Sequence, residues 1–203
     1  TTGGSWAIDT VNGVLSVTTT IAKSGASFRT VQIVDGYWRF RFNTTSQRLQ
    51  FGILQQNQIT DSSDITGIHN GGGYIFDLSS TESTIGTRVC TSMTTELGRT
   101  TVAYVPGTTY LCEVLKVGNV ITLKLTDPNG AIQTATWTDA SNLFTTSIGV
   151  CNFYQHYPAT TTKIWDFVAI GFDSTSTNGI AVCIPSIGGG ARYGVEESVY
   201  NTF

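Results

Sequence analysis

Charge is scarce in this 203-residue chain. Asp, Glu, Lys and Arg together make up 12% of it, roughly half the share of an ordinary soluble domain. There are only four Lys and one Met. A coiled coil or long-helix protein needs a large share of Ala, Glu, Lys, Leu and Arg, and that share is missing. No apolar i, i+3, i+4, i+7 pattern runs beyond one turn, so helices are not expected. No apolar run approaches the roughly 18 residues that span a bilayer, so membrane insertion is not expected. Eleven cations and a net charge of -3 argue against a basic surface for nucleic acid. No CxxC pair occurs, and His69 and His156 stand far from any paired cysteines, which argues against zinc.

What the chain has instead is hydroxyl and glycine: 34 Thr, 17 Ser and 22 Gly. Hydrophobic residues are 40% and aromatics 11%, enough to fill a core and to exclude a disordered chain. The length suits one all-β domain. Cys90, Cys112, Cys151 and Cys183 permit two disulfides in three pairings. Cys112 and Cys151 fall inside expected strands, where Cys packs as a small hydrophobe, and we read the four as free thiols.

Period-two alternation recurs along the chain. Asn12-Gly13 predicts a turn between the segment at Trp6 and the one at Val14. In Tyr37 to Phe42, Trp38, Phe40 and Phe42 share one face, and Tyr37, Arg39 and Arg41 share the other. Further strands are expected at 49–54, 74–78, 87–91, 101–105, 110–117, 120–126, 131–138, 148–154 and 164–172. Gly118-Asn119 and Asp127-Pro128-Asn129-Gly130 supply tight turns. Short strands at regular spacing predict an all-β sandwich or jelly roll of two antiparallel sheets. Residues 1–173 form the expected domain. Residues 174–203 are an extension, either an edge strand or an oligomerisation arm, and an arm clasping a neighbour implies a homotrimer.

The stretches "SWAIDTVNGVLSV", "YWRFRF" with "RLQFGIL", "TYLCEVLKVGNVITLKLTDPNGAIQTATW", "SIGVCNFY" and "KIWDFVAIGF" resemble the concanavalin A-like lectin/glucanase superfamily, especially its laminin-G-like branch. Tyr110, Val114, Gly118, Ile121, Leu123, Trp165, Asp166 and Phe167 occupy the matching places over residues 5–173. The resemblance implies two curved antiparallel sheets, with glycans or partners bound on the concave face or the rim loops. SPRY-type interaction domains have a related fold, which keeps a protein-binding module as an alternative.

A carbohydrate-active enzyme of this fold is the other alternative. Glucanases of the superfamily carry a Glu-x-Asp-x-x-Glu strand, because a retaining hydrolase needs paired carboxyls. No such strand exists here. The Arg-x-Glu-x-Arg and Gln-Ile-His strands of similar alginate lyases are also missing. The sequence therefore leans away from catalysis, and no catalytic residue is assigned.

Binding has more candidates. Tyr37, Arg39 and Arg41 set an aromatic plane beside two guanidiniums, a surface on which a sugar can pack and donate. Glu113 is the one Glu inside a confident strand, facing a groove or an Arg. Tyr154, His156 and Tyr157 end a strand and enter a loop, which suits an exposed rim site. His69 precedes Asn70 and three glycines in a long polar loop. Calcium is a candidate ligand of Asp61, Asp64 and Asp77, or of Asp127 with Asn129, although turn formation alone explains the last pair. No metal site or cofactor is assigned beyond that. Asn43-Thr44-Thr45 is a glycosylation sequon in a eukaryotic secretory setting. The expected function is non-catalytic recognition of a carbohydrate or cell-surface receptor. The expected place is extracellular or on a virion surface, in the head of a viral or phage attachment fibre or an adhesin.

Overall fold

The computed structural model describes residues 6–9, 14–19, 24–29, 33–56, 72–80, 86–91, 95–145, 150–155, 159–172, 180–184 and 192–194. Its strands are β1 (Trp6–Asp9), β2 (Val14–Thr19), β3 (Ser24–Arg29), β4 (Asp35–Thr44), β5 (Arg48–Ile53), β6 (Tyr74–Ser79), β7 (Gly86–Cys90), β8 (Glu96–Thr100), β9 (Thr109–Val117), β10 (Val120–Thr126), β11 (Ile132–Thr138), β12 (Val150–Gln155), β13 (Ala159–Phe172), β14 (Ile180–Ile184) and β15 (Arg192–Gly194). No helix occurs among the described residues. One sheet runs β1-β2-β13-β4-β9-β10-β11, with β14 paired to β13 and β15 to β14. The other, of six strands, runs β3-β12-β5-β6-β7-β8. All pairings are antiparallel. The two sheets pack as a sandwich.

The core between them follows from the alternation in β4. Trp38, Phe40 and Phe42 are buried on its inner face, joined by Tyr110, Cys112 and Val114 of β9. Phe40 meets Phe153 edge-on at 4.9 Å and Phe51 at 5.0 Å, and Phe51 stacks on Phe76 at 4.6 Å. Such offset and edge contacts add to the burial of the rings. Cys90, Cys112 and Cys151 are free and buried. The β9–β10 hairpin turns at Gly118, whose φ of 57° suits glycine in a two-residue loop.

Two strands differ from expectation. Residues 101–105 do alternate, with Val102 and Tyr104 buried, yet they lie outside any strand. The Gln133 carboxamide takes the place of a neighbouring strand. Its Oε1 accepts from Ala103 N at 3.1 Å, and its Nε2 donates to Ala103 O at 2.9 Å. The ladder strand is the preceding segment, β8. The small residues of β3 carry little strand propensity, and pairing with β12 overrides it.

Candidate functional site

Cross-strand partners share a face, so the register defines what each outer surface carries. On β6, Tyr74, Phe76 and Leu78 enter the core. Ile75, Asp77 and Ser79 therefore point away from it. One row on this outer face of the six-stranded sheet reads Tyr154, Gln50, Asp77, Arg88, Arg99 across β12, β5, β6, β7 and β8. Arg48 lies one step along, opposite Ser79.

Asp77 is 2% exposed and is held by two arginines. Arg48 Nε donates to its Oδ1 at 2.7 Å, and Arg48 Nη2 donates to Oδ2. Arg88 Nε reaches Oδ2 at 2.6 Å. Glu96 continues the chain of charges, accepting from Arg99 Nε at 2.8 Å and lying 3.8 Å from Arg88 Nη1. Burial pushes the Asp77 carboxyl up, but Arg48 and Arg88 outweigh it and hold the group below its ordinary value. Burial lowers the Arg88 guanidinium and Asp77 raises it, with a net rise. Asp77 and Arg88 are thus both held in their charged forms.

They surround a shallow depression, partly open to solvent, lined by Arg48, Asp77, Arg88, Arg99, Ser79, Gly86, Thr87 and Thr100. Gly86 makes the close approach of β7 to β8 possible. A Cβ there would fall 2.0 Å from Thr100 O, and its φ is 122°. Thr87 is fixed by donating to Val102 O at 2.7 Å. Gln50, next in the row, is fully buried with neither amide atom hydrogen-bonded among the described residues.

The outer face of the larger sheet brings together Tyr37, Arg39 and Glu113. Arg39 stands opposite Glu113 in register, and Tyr37 OH donates to Glu113 Oε1 at 2.6 Å. Tyr37 is 5% exposed, packed with Ile170, Leu115 and Val168, so it offers no open ring for a sugar. Burial first, then the bond to Glu113, push its hydroxyl above the ordinary phenol value. Arg41 sits one step along the same face, 3.2 Å from the exposed Asp166 carboxylate. Asp166 has φ 53° where the β13–β4 register shifts.

Tyr154 departs from the expected exposed rim. It is fully buried on the outer side of the six-stranded sheet with Ile75 and Cys90, because the register places it beside Gln50 rather than at a strand end. His69, His156 and Tyr157 lie outside the described residues, as do Asp61 and Asp64. Asp77 is engaged by arginines. Asp127 Oδ1 accepts from Asn129 N at 2.8 Å and Ala131 N at 2.9 Å, so it builds its turn. No group of three or more His, Cys, Asp or Glu suited to a metal occurs among the described residues. The Asn43 amide of the sequon donates to Gly107 O at 2.8 Å.

Arg48, Arg88, Glu96 and Arg99 were not singled out from sequence, and Asp77 was raised there only as a calcium ligand. The usable signal was five of the chain's few charges spread over four successive strands. Only the register joins them.

No protein-family model and no curated protein matches the sequence. Solved structures do match the fold. The winged bean acidic lectin, complexed with methyl-alpha-D-galactose, has 12% identity and a TM-score of 0.56, over 82% of this chain and 88% of that one. A Bacillus subtilis protein of unknown function with a galectin-like fold has 13% identity and a TM-score of 0.57, over 82% and 86%. The exoplasmic/lumenal domain of VIP36, in its Ca2+/Man3GlcNAc-bound form, has 12% identity and a TM-score of 0.58, over 80% and 81%. These matches agree with the two antiparallel sheets in showing the fold: the chain is a β-sandwich similar in fold to these lectin and galectin-like structures.

Proposed function

We propose that this chain is a non-catalytic glycan-recognition domain, and that it binds at the arginine-lined depression on the six-stranded sheet. The observation that carries this is the convergence of Arg48, Arg88 and Arg99 around one cleft in a chain with seven Arg in all. Guanidiniums held rigid by carboxylates are pre-organised donors for sugar oxygens. The relatives in fold, two of them solved with saccharides, support the ligand class. Binding rather than turnover is supported by the state of the carboxyls. Asp77 is inaccessible and Glu96 is paired to Arg99, so neither is placed as a general acid. The setting we propose is extracellular or on a virion surface, as an attachment-fibre head or adhesin working as a homotrimer. Its support is the hydroxyl-rich, lysine-poor composition.

A glycan array probed with the full chain tests the binding claim, alongside two steric variants. Arg99→Trp sets an indole over the depression from an outward, exposed position, and Thr134→Trp adds the same bulk to the exposed strand β11 of the other sheet. The expected result is glycan binding that Arg99→Trp abolishes and Thr134→Trp retains. Capture of no glycan, or binding by Arg99→Trp at the level of the unaltered chain, would refute the proposal.

A further inference from the structure

We infer that the saccharide this depression takes is acidic, carrying a carboxylate or sulfate that seats between Arg88 and Arg99. This rests on the glycan-binding reading of the same site and adds the charge of its ligand.

Donors and acceptors in the cleft are out of balance. Asp77 receives three N–H donors and is 2% exposed, so a ligand cannot reach it. Glu96 Oε1 is taken by Arg99 Nε, and Oε2 faces Arg88 Nη1. The strong acceptors are therefore spent inside the protein. The donors are not. Arg99 uses Nε alone, leaving both Nη groups open, and its side chain is 55% exposed. Arg88 Nη2 and Arg48 Nη1 also have no partner among the described residues.

Three cations against two anions leave the cluster at about +1 in a chain of net charge -3. A neutral sugar hydroxyl is both donor and acceptor, and the guanidiniums of this cleft meet only its acceptor half, with the outward Ser79 hydroxyl as a neutral acceptor beside them. A carboxylate or sulfate is acceptor only, and it pairs with planar guanidinium forks in two-point geometry. The chemistry of the spare groups thus selects an anion. The rest of the sugar ring would lie over Ser79 and Gly86, which are paired on the outer side of the sheet.

The test uses matched pairs in which charge is the one difference. These are oligogalacturonate with its methyl ester, sulfated with desulfated galactan, and sialylated with desialylated lactose. Affinities of the full chain are measured at low and high salt. An Arg99→Gln variant keeps the Asp77 network, and Lys163→Gln removes one exposed cation from the opposite sheet. We expect at least one acidic member to bind tenfold or more tighter than its neutral partner. That preference should weaken as salt rises and fall several-fold in Arg99→Gln, with Lys163→Gln unchanged.

Equal binding of the acidic and neutral members, lost in Arg99→Trp, would leave the glycan site standing and overturn its anionic character. An acidic preference equally reduced by Lys163→Gln would also overturn it, as bulk attraction. Binding by no member of any pair would overturn both.

Discussion

The two outer faces of this sandwich use charge in opposite ways. On the larger sheet, Tyr37, Ile170, Leu115 and Val168 cover the surface with apolar contact, and Glu113 is bonded to a neutral hydroxyl. An ion pair on this face, Arg41 with Asp166, stands in solvent. On the six-stranded sheet a buried carboxylate anchors two guanidiniums, and a third arginine leaves its donors open. The first face is largely apolar, although Arg39 Nε lies buried on it without a partner among the described residues. The second keeps a rigid cationic cleft. A surface built for a polar ligand differs from a merely solvated one in having its polar groups fixed before the ligand arrives.

The largest difference between the faces should appear on removing an anchor. Asp77→Ala leaves Arg48 with no counter-charge and Arg88 with only the more distant Glu96, around a buried position. It should destabilise the fold by about 3 kcal/mol, read from urea unfolding. Acid acts through the same group. Its folded value lies below its unfolded one, so the stability it contributes is whole above roughly pH 4. That contribution is lost as pH falls through the folded value. Asp77→Asn should therefore flatten the acid limb of the stability curve. An unchanged acid limb in Asp77→Asn would show that the pair contributes nothing.

Next in size is Tyr37→Phe on the opposite face. It removes a 2.6 Å bond to a carboxylate from a residue only 5% exposed. The expected loss is about 1.5 to 2 kcal/mol, measured by the same unfolding. Gln50→Met should go the other way. It removes two buried amide atoms that lack partners and should stabilise by about 1 kcal/mol. A loss of stability would mean that the amide holds an ordered water. The smallest effect belongs to Arg41→Ala. Its partner Asp166 is exposed, and exposed pairs contribute under about 0.5 kcal/mol.

Much of the fold was legible because the larger sheet alternates cleanly. In β9 every second residue is buried, and so is every second residue of β10. The six-stranded sheet hides its pattern. Every residue of β6 is buried, since Ile75 and Asp77 are covered on the outer side as Tyr74 and Phe76 are on the inner. A two-sided strand carries no period-two signal, so its polar outward positions read as core. The candidate site escaped notice for that reason. Arg88 and Asp77 are neighbours through the β6–β7 register, which no local pattern encodes. Tyr37 and Arg39 were legible as face-mates, but the packing of Tyr37 against β13 and β9 was not.

The most direct measurement is a map of amide chemical-shift changes as the full chain is titrated with its tightest array saccharide. The changes should gather on Ser79, Gly86, Thr87, Arg88, Arg99 and Thr100, with the larger sheet silent. Changes gathered on Arg39, Arg41, Glu113 and Asp166 instead would contradict the account and return the ligand to the opposite face.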